Sequence, residues 1–166
     1  ADSCLAHTSN LKAISFASAK VMKPECLRGS GMVVESFVAP NLEQLQDNAL
    51  LEAKVVRIAN LGKITTAPRG GTFYESYGAR STLIGIVFPA SVTTIDVYTL
   101  YEYTKLQYIV FLSDVPPTAA NDEPFYNTNN CPIYVPDASV EAYKNAANWQ
   151  RYVGRIRGLS EYTGTI

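Results

Sequence analysis

The chain has 166 residues, 47% of them apolar, enough for one folded unit with a sizeable core and unlike a disordered tail. Fourteen basic against fifteen acidic residues leave a net charge of -1 without any basic block, so the electrostatic footprint of a nucleic-acid binder is missing. No apolar run reaches the ~18 residues of a membrane span, and "ADSCLAHTSN" has neither the basic start nor the apolar centre of a signal peptide.

Along the chain the apolar residues repeat. In "LKAISFA", Leu11, Ile14 and Phe16 set a spacing of three and then two; weaker copies follow as Val34, Phe37 and Ala39 and as Val56 with Ile58. The stretch 59–82, with "APRGGTFYESYGARS", lengthens the interval to about thirty residues, and its proline and paired glycines predict an insertion looped out on one face, near 65–81. The pattern returns as Leu83, Ile86 and Phe88, then as Leu106, Ile109 and Phe111, shifted by 23 residues at all three positions. A second mark accompanies it, a Leu or Phe six residues before each strand's first apolar position: Leu5 before Leu11, Leu27 before Val33, Leu50 before Val56, Leu100 before Leu106, Phe125 before Cys131.

Each Ile-x-Phe pair is a period-two signal for a short strand with one buried face, whereas "NLEQL" and "SVTTI" space apolar residues by three after a proline-marked corner. A unit of some twenty residues cannot bury its own apolar edge, so neighbouring units must stack. These features predict a mainly β repeat solenoid. Residues 1–130 would hold about five repeats; residues 131–166 would add a last strand and a small helical cap within the same domain.

The closing stretch "CPIYVPDASVEAYKNAANW" fits that cap. "PIYV" forms a strand that Pro136 stops; Asp137 or Ser139 then caps a helix running toward Asn148. Val140, Tyr143 and Ala147 share one stripe facing the last repeat, and Trp149, Tyr152 and Ile156 fold over the open end. Trp149 also admits another reading, a flat platform on which a sugar could stack.

Around "SVTTIDVYTLYEYTKLQYIVF" the sequence resembles the BspA-like leucine-rich repeats of bacterial surface proteins, common in Bacteroides-type bacteria. Phe88, Pro89, Ser91, Val92, Thr93, Ile95 and Tyr98 stand in that register, with Thr99 and Leu100 where the family has Ala and Phe, and Tyr103 where it often has Cys. Cys4 and Cys26 fall at the family's Ala. The likeness is strong over 82–157 and looser over 1–58. It implies a right-handed coil stack of leucine-rich-repeat type, an adhesive or recognitive role, and a position outside the cell. Repeats are expected to precede Ala1.

Chemistry for catalysis is sparse. His7 is alone in a polar coil, "RGSG" and "PRGG" lack the phosphate-loop spacing, and Asp122 and Glu123 are neighbours in an exposed loop with no calcium-loop pattern. Three cysteines, Cys4, Cys26 and Cys131, show no zinc spacing and read as buried thiols; Cys4 and Cys26, one repeat apart, could also be bridged. The reading is therefore a non-enzyme without cofactor or metal. Residues between the inward pairs, Ser15, Val38, Val87 and Val110, would line the outer face of the sheet, and Tyr108, Tyr101 and Tyr103 would supply rigid aromatic area near it. The expected partner is a host or bacterial surface protein or a glycan, bound at the cell surface or by the secreted protein. The competing reading is a structural spacer within a larger surface or virion-tail protein. An outer face that is polar or covered would favour the spacer.

Overall fold

A strand of only three or four residues with one apolar face gains little alone, and its stability must come from the strands stacked on it. The computed structural model shows that arrangement; it describes residues 15–30, 33–69, 72, 82–120 and 123–164. The chain is a mainly β solenoid of about five turns with one short helix near its C-terminal end.

The strands are β1 (Val21–Met22), β2 (Val33–Val38), β3 (Gln44–Leu45), β4 (Lys54–Asn60), β5 (Thr66–Ala67), β6 (Gly85–Phe88), β7 (Thr94–Ile95), β8 (Tyr108–Phe111), β9 (Thr118–Ala119), β10 (Ile133–Val135) and β11 (Ile156–Gly158). The longer ones form a parallel six-stranded sheet in the order β11-β10-β8-β6-β4-β2. The two-residue strands form the opposite side as two small parallel sheets, β1-β3 and β5-β7-β9. Helix α1 (Val140–Asn145) follows β10.

Register carries the stacking. Phe37, Ile58, Ile86, Ile109, Ile133 and Ile156 pair in succession across all six strands, and each is at most 1% exposed. Phe88 lies over Phe111 with ring centroids 4.7 Å apart, so the 23-residue shift read from the sequence is a stacking of one coil on the next. On the far side Ala67, Ile95 and Ala119 form the inward column of the small sheet, while Thr66, Thr94 and Thr118 face solvent. Corners between the sides repeat as well: Glu25, Asn48 and Tyr98 each turn the chain at a left-handed φ of 56–59°.

Three details differ from the sequence reading. Val55, not Val56, is the buried partner of Ile58, and Val33 is 65% exposed while Val34 packs against the core; the six-residue mark slips by one in these two coils. The long interval is 28 residues, Ile58 to Ile86, and the small strand β5 inside it pairs in register with β7, so the insertion starts beyond Ala67. Its residues 70–71 and 73–81 lie outside those described, as do Cys4, His7, Leu11, Ile14 and Asp122.

The end of the stack departs further. Helix α1 stops at Asn145, leaving Ala147 exposed, because the chain turns back to place Trp149 in the core. Neither Asp137 nor Ser139 caps it with a side chain: the Asp137 carboxylate accepts from the Ser160 amide and hydroxyl, and the Ser139 hydroxyl donates to the Asp114 carbonyl. β10 is not the last strand. Ile156 belongs to β11, which pairs with it and extends the sheet by one more coil.

The cap closes the small sheet with side-chain donors. Beyond β9 no further coil supplies amides, so Trp149 Nε1 donates to the Pro117 carbonyl (2.8 Å) and Asn148 Nδ2 to that of Ala119 (2.9 Å), while the Tyr143 hydroxyl takes that of Ser113 (2.9 Å). Trp149 and Tyr143 are fully buried and meet edge to face at 4.8 Å; Tyr152 and Ile156 are buried, and Val140 packs partly against them. Burial on all sides removes Trp149 as a stacking platform for sugars.

Candidate ligand-binding surface

Because side chains alternate along a strand, Gly85, Val87, Tyr108, Val110 and Tyr134 point away from the core column, toward the outer face of the long sheet. That face divides into two zones. Near the starts of the strands it is covered. The Tyr108 ring lies across its register partner Gly85, where an added Cβ would fall inside the ring. The C-terminal tail then brings Tyr162 over both Tyr108 (centroids 5.1 Å) and Tyr134 (5.0 Å). Burial, together with a hydrogen bond shared with Tyr108, pushes the Tyr162 phenol up to about 12. Ser160, held by Asp137, anchors this tail to the cap.

Toward the ends of the strands the face is open. A bulge shifts the register of β2 on β4 between Phe37 and Val38. A hollow of about 450 Å³ opens there, walled by Val38, Leu61, Val87, Pro89 and Leu112. Among the described residues Asn60 is the one polar side chain on its walls, and its oxygen accepts from the Gly62 amide (2.7 Å). Gly62 is required at its corner, since its φ is +66° and a Cβ would collide with the Leu42 backbone.

Of the residues singled out by sequence, Val38 (45% exposed) and Val87 (4%) meet in this hollow. Val110 does not share it; flanked in register by Val87 and Tyr134, it is fully buried and offers no contact surface. Tyr103 is fully buried too, packed into the core between Leu100 and Leu106, so its place in a binding surface is withdrawn. Tyr101 lies elsewhere, in the corner column, between Tyr98 (edge to face, 5.1 Å) and Tyr126 (stacked, 5.0 Å). Desolvation and the nearby Glu102 carboxylate raise its phenol. Tyr108 is half-buried beneath Tyr162.

No protein-family model matches the chain, and no curated protein matches it. The site must be read from its own chemistry. Among the described residues no three His, Cys, Asp or Glu side chains gather as a metal site, and no helix is long and apolar enough to cross a membrane. Cys131 is buried beside Arg155 and Thr128, with burial raising its thiol and Arg155 opposing that, while the Cys26 sulfur lies 3.7 Å from the Ala49 carbonyl.

Two features of this surface escaped the sequence reading. Gly85 within "LIGIVF" carried a usable signal, since a glycine inside a strand marks close approach by another group. Tyr162 carried none: it lies beyond the last repeat, and only the fold brings it over Tyr108 and Tyr134.

Proposed function

We propose that this chain is a non-enzymatic recognition module, displayed at a cell surface or secreted, that holds a protein partner in the outer-face hollow of the long sheet. The observation that carries the reading is the apolar hollow walled by Val38, Val87 and Leu112, with Val38 exposed at its rim, beside a zone of the face covered by tyrosines. Among the described residues its walls are apolar apart from Asn60, whose side-chain oxygen accepts from the Gly62 amide, so an apolar side chain of a protein suits it better than a hydroxyl-rich sugar. The resemblance to BspA-like surface repeats adds support for an adhesive role outside the cell.

Val38→Arg tests it. Val38 is exposed enough to accept the change without unfolding, so the expected result on an array of host matrix and bacterial surface proteins is loss of the wild-type signal at an unchanged melting temperature. A second reading, a structural spacer within a longer surface or virion-tail protein, is favoured by the covering of Val110 and Tyr108. Silence of the wild-type protein across the array, with no loss of cell attachment when the domain is deleted, would establish the spacer instead.

A further inference from the structure

We propose that Arg157 and Glu161 block the open edge of the long sheet, replacing with side chains one residue of the coil that would follow and so keeping β11 from pairing with β11 of a second copy of the chain. Among the described residues β11 ends the sheet, with β10 on one side and no strand on the other. The Ile133 amide donates to the Arg155 carbonyl (2.9 Å), so in this parallel register that carbonyl and the backbone groups of Arg157 face β10. Ile156 and Gly158 turn their backbone groups the other way. One residue of a further parallel strand would therefore give its N–H to the Ile156 carbonyl and take the Gly158 N–H on its own carbonyl oxygen.

Side chains already occupy both positions. Arg157 Nη1 donates to the Ile156 carbonyl (2.9 Å), and the Gly158 amide donates to Glu161 Oε1 (3.3 Å). A guanidinium thus replaces the missing N–H and a carboxylate the missing C=O, with Arg157 Nε 4.0 Å from Glu161 Oε2. Ile156 and Gly158 are buried although their strand lies at the edge, whereas Arg157 and Glu161 are exposed, so this end of the sheet presents charge. The chain's course sets the block in place: Glu161 ends the single turn Leu159–Glu161 that follows β11, and the Ser160 hydroxyl ties that turn to Asp137 (2.6 Å). A second copy is the occupant that an unblocked edge suits. A two-fold axis at Arg157 would set Ile156 of each copy opposite Gly158 of the other, antiparallel, and pair every outward N–H and C=O of both. The same axis would bring the two Arg157 side chains face to face, so Arg157 opposes association by charge as well as by occupying the Ile156 carbonyl. No part of this depends on a ligand in the outer-face hollow, so the two readings can fail separately.

The test compares the wild type with the protein carrying Arg157→Ala and Glu161→Ala, by sedimentation equilibrium and by hydrogen exchange of the Gly158 amide, each over ~10 µM to ~1 mM protein. The double variant should associate at least about tenfold more tightly than the wild type, and as a dimer. Its Gly158 amide should exchange about tenfold faster than that of the wild type when dilute, and should slow again as the concentration rises. Glu161→Gln, which keeps an acceptor for that amide, should behave as the wild type does. Glu161→Ala alone should show faster exchange at Gly158 and weaker association than the double variant, and it decides the matter if the double variant fails to fold. A folded double variant that associates no more than the wild type, a dimer whose Gly158 amide stays as fast as in the dilute protein, or wild-type exchange at Gly158 in the Glu161→Ala protein would overturn the proposal.

Discussion

Tyr143 and Trp149 end the coil stack by giving side-chain protons to carbonyls that a further coil would otherwise have satisfied. Burial raises the Tyr143 phenol far above the usual tyrosine range, and it raises Tyr152 and Tyr162 as well. A phenol whose folded pKa lies above its unfolded value stabilises the fold fully below about pH 10, and that contribution is lost as pH rises beyond it. Stability should therefore hold from pH 7 to about 9, where the raised Cys131 thiol begins to count, and fall more steeply above about 10, Tyr143 alone adding a slope of up to about 1.4 kcal/mol per pH unit, measured by urea unfolding at stepped pH. Tyr143→Phe should cost about 1–2 kcal/mol at pH 7, by orphaning the Ser113 carbonyl, and should unfold less steeply in alkali. An equal alkaline slope in the two proteins would contradict this assignment. The burial of Trp149 was legible, because a single Trp after a short amphipathic stretch usually closes a core; its acceptor at Pro117 was not, because 32 residues separate them and only the stacking unites them.

At the scale of elements, the outer face depends on a glycine. Gly85 gives Tyr108 room to lie flat across the neighbouring strand, and Tyr162 then rests on Tyr108. Gly85→Ala should displace both rings and cost roughly 1–3 kcal/mol, with increased exposure of Tyr108 and Tyr162 seen in their NMR shifts. If the variant were as stable as the wild type with unmoved ring signals, the covered zone would need another explanation. Element existence was readable for β6, β8 and β10, whose apolar pairs repeat with little change. It was not for β11, where Ile156 alone carries the pattern and pairing with β10 supplies the rest. The predicted length of α1 failed for a related reason: Ala146 and Ala147 favour helix, but at Ala146 the chain becomes extended (ψ 146°) and returns Trp149 to the core.

For the whole molecule, the repeat tolerates unequal coils because the ladder needs register only where strands pair. The interval of 28 residues between Ile58 and Ile86 and that of 23 between Ile86 and Ile109 both return to the same column. Extra chain outside the ladder adds only a slowly growing closure cost. The solenoid was thus visible in the recurring Leu, Ile and Phe, while the candidate hollow was not, because it lies beside the bulge between Phe37 and Val38, which no residue pattern marks. Stacking in this order is the claim on which the outer-face hollow and the blocked edge both depend. Pairwise cysteine substitution on the exposed threonine column tests it most directly, with oxidation followed by peptide mass analysis. Thr94 and Thr118 are register partners about 5 Å apart, whereas Thr66 and Thr118 are two rungs apart, roughly 9.5 Å. The protein carrying Thr94→Cys and Thr118→Cys should form the disulfide while that carrying Thr66→Cys and Thr118→Cys does not; the opposite pattern would contradict the stack.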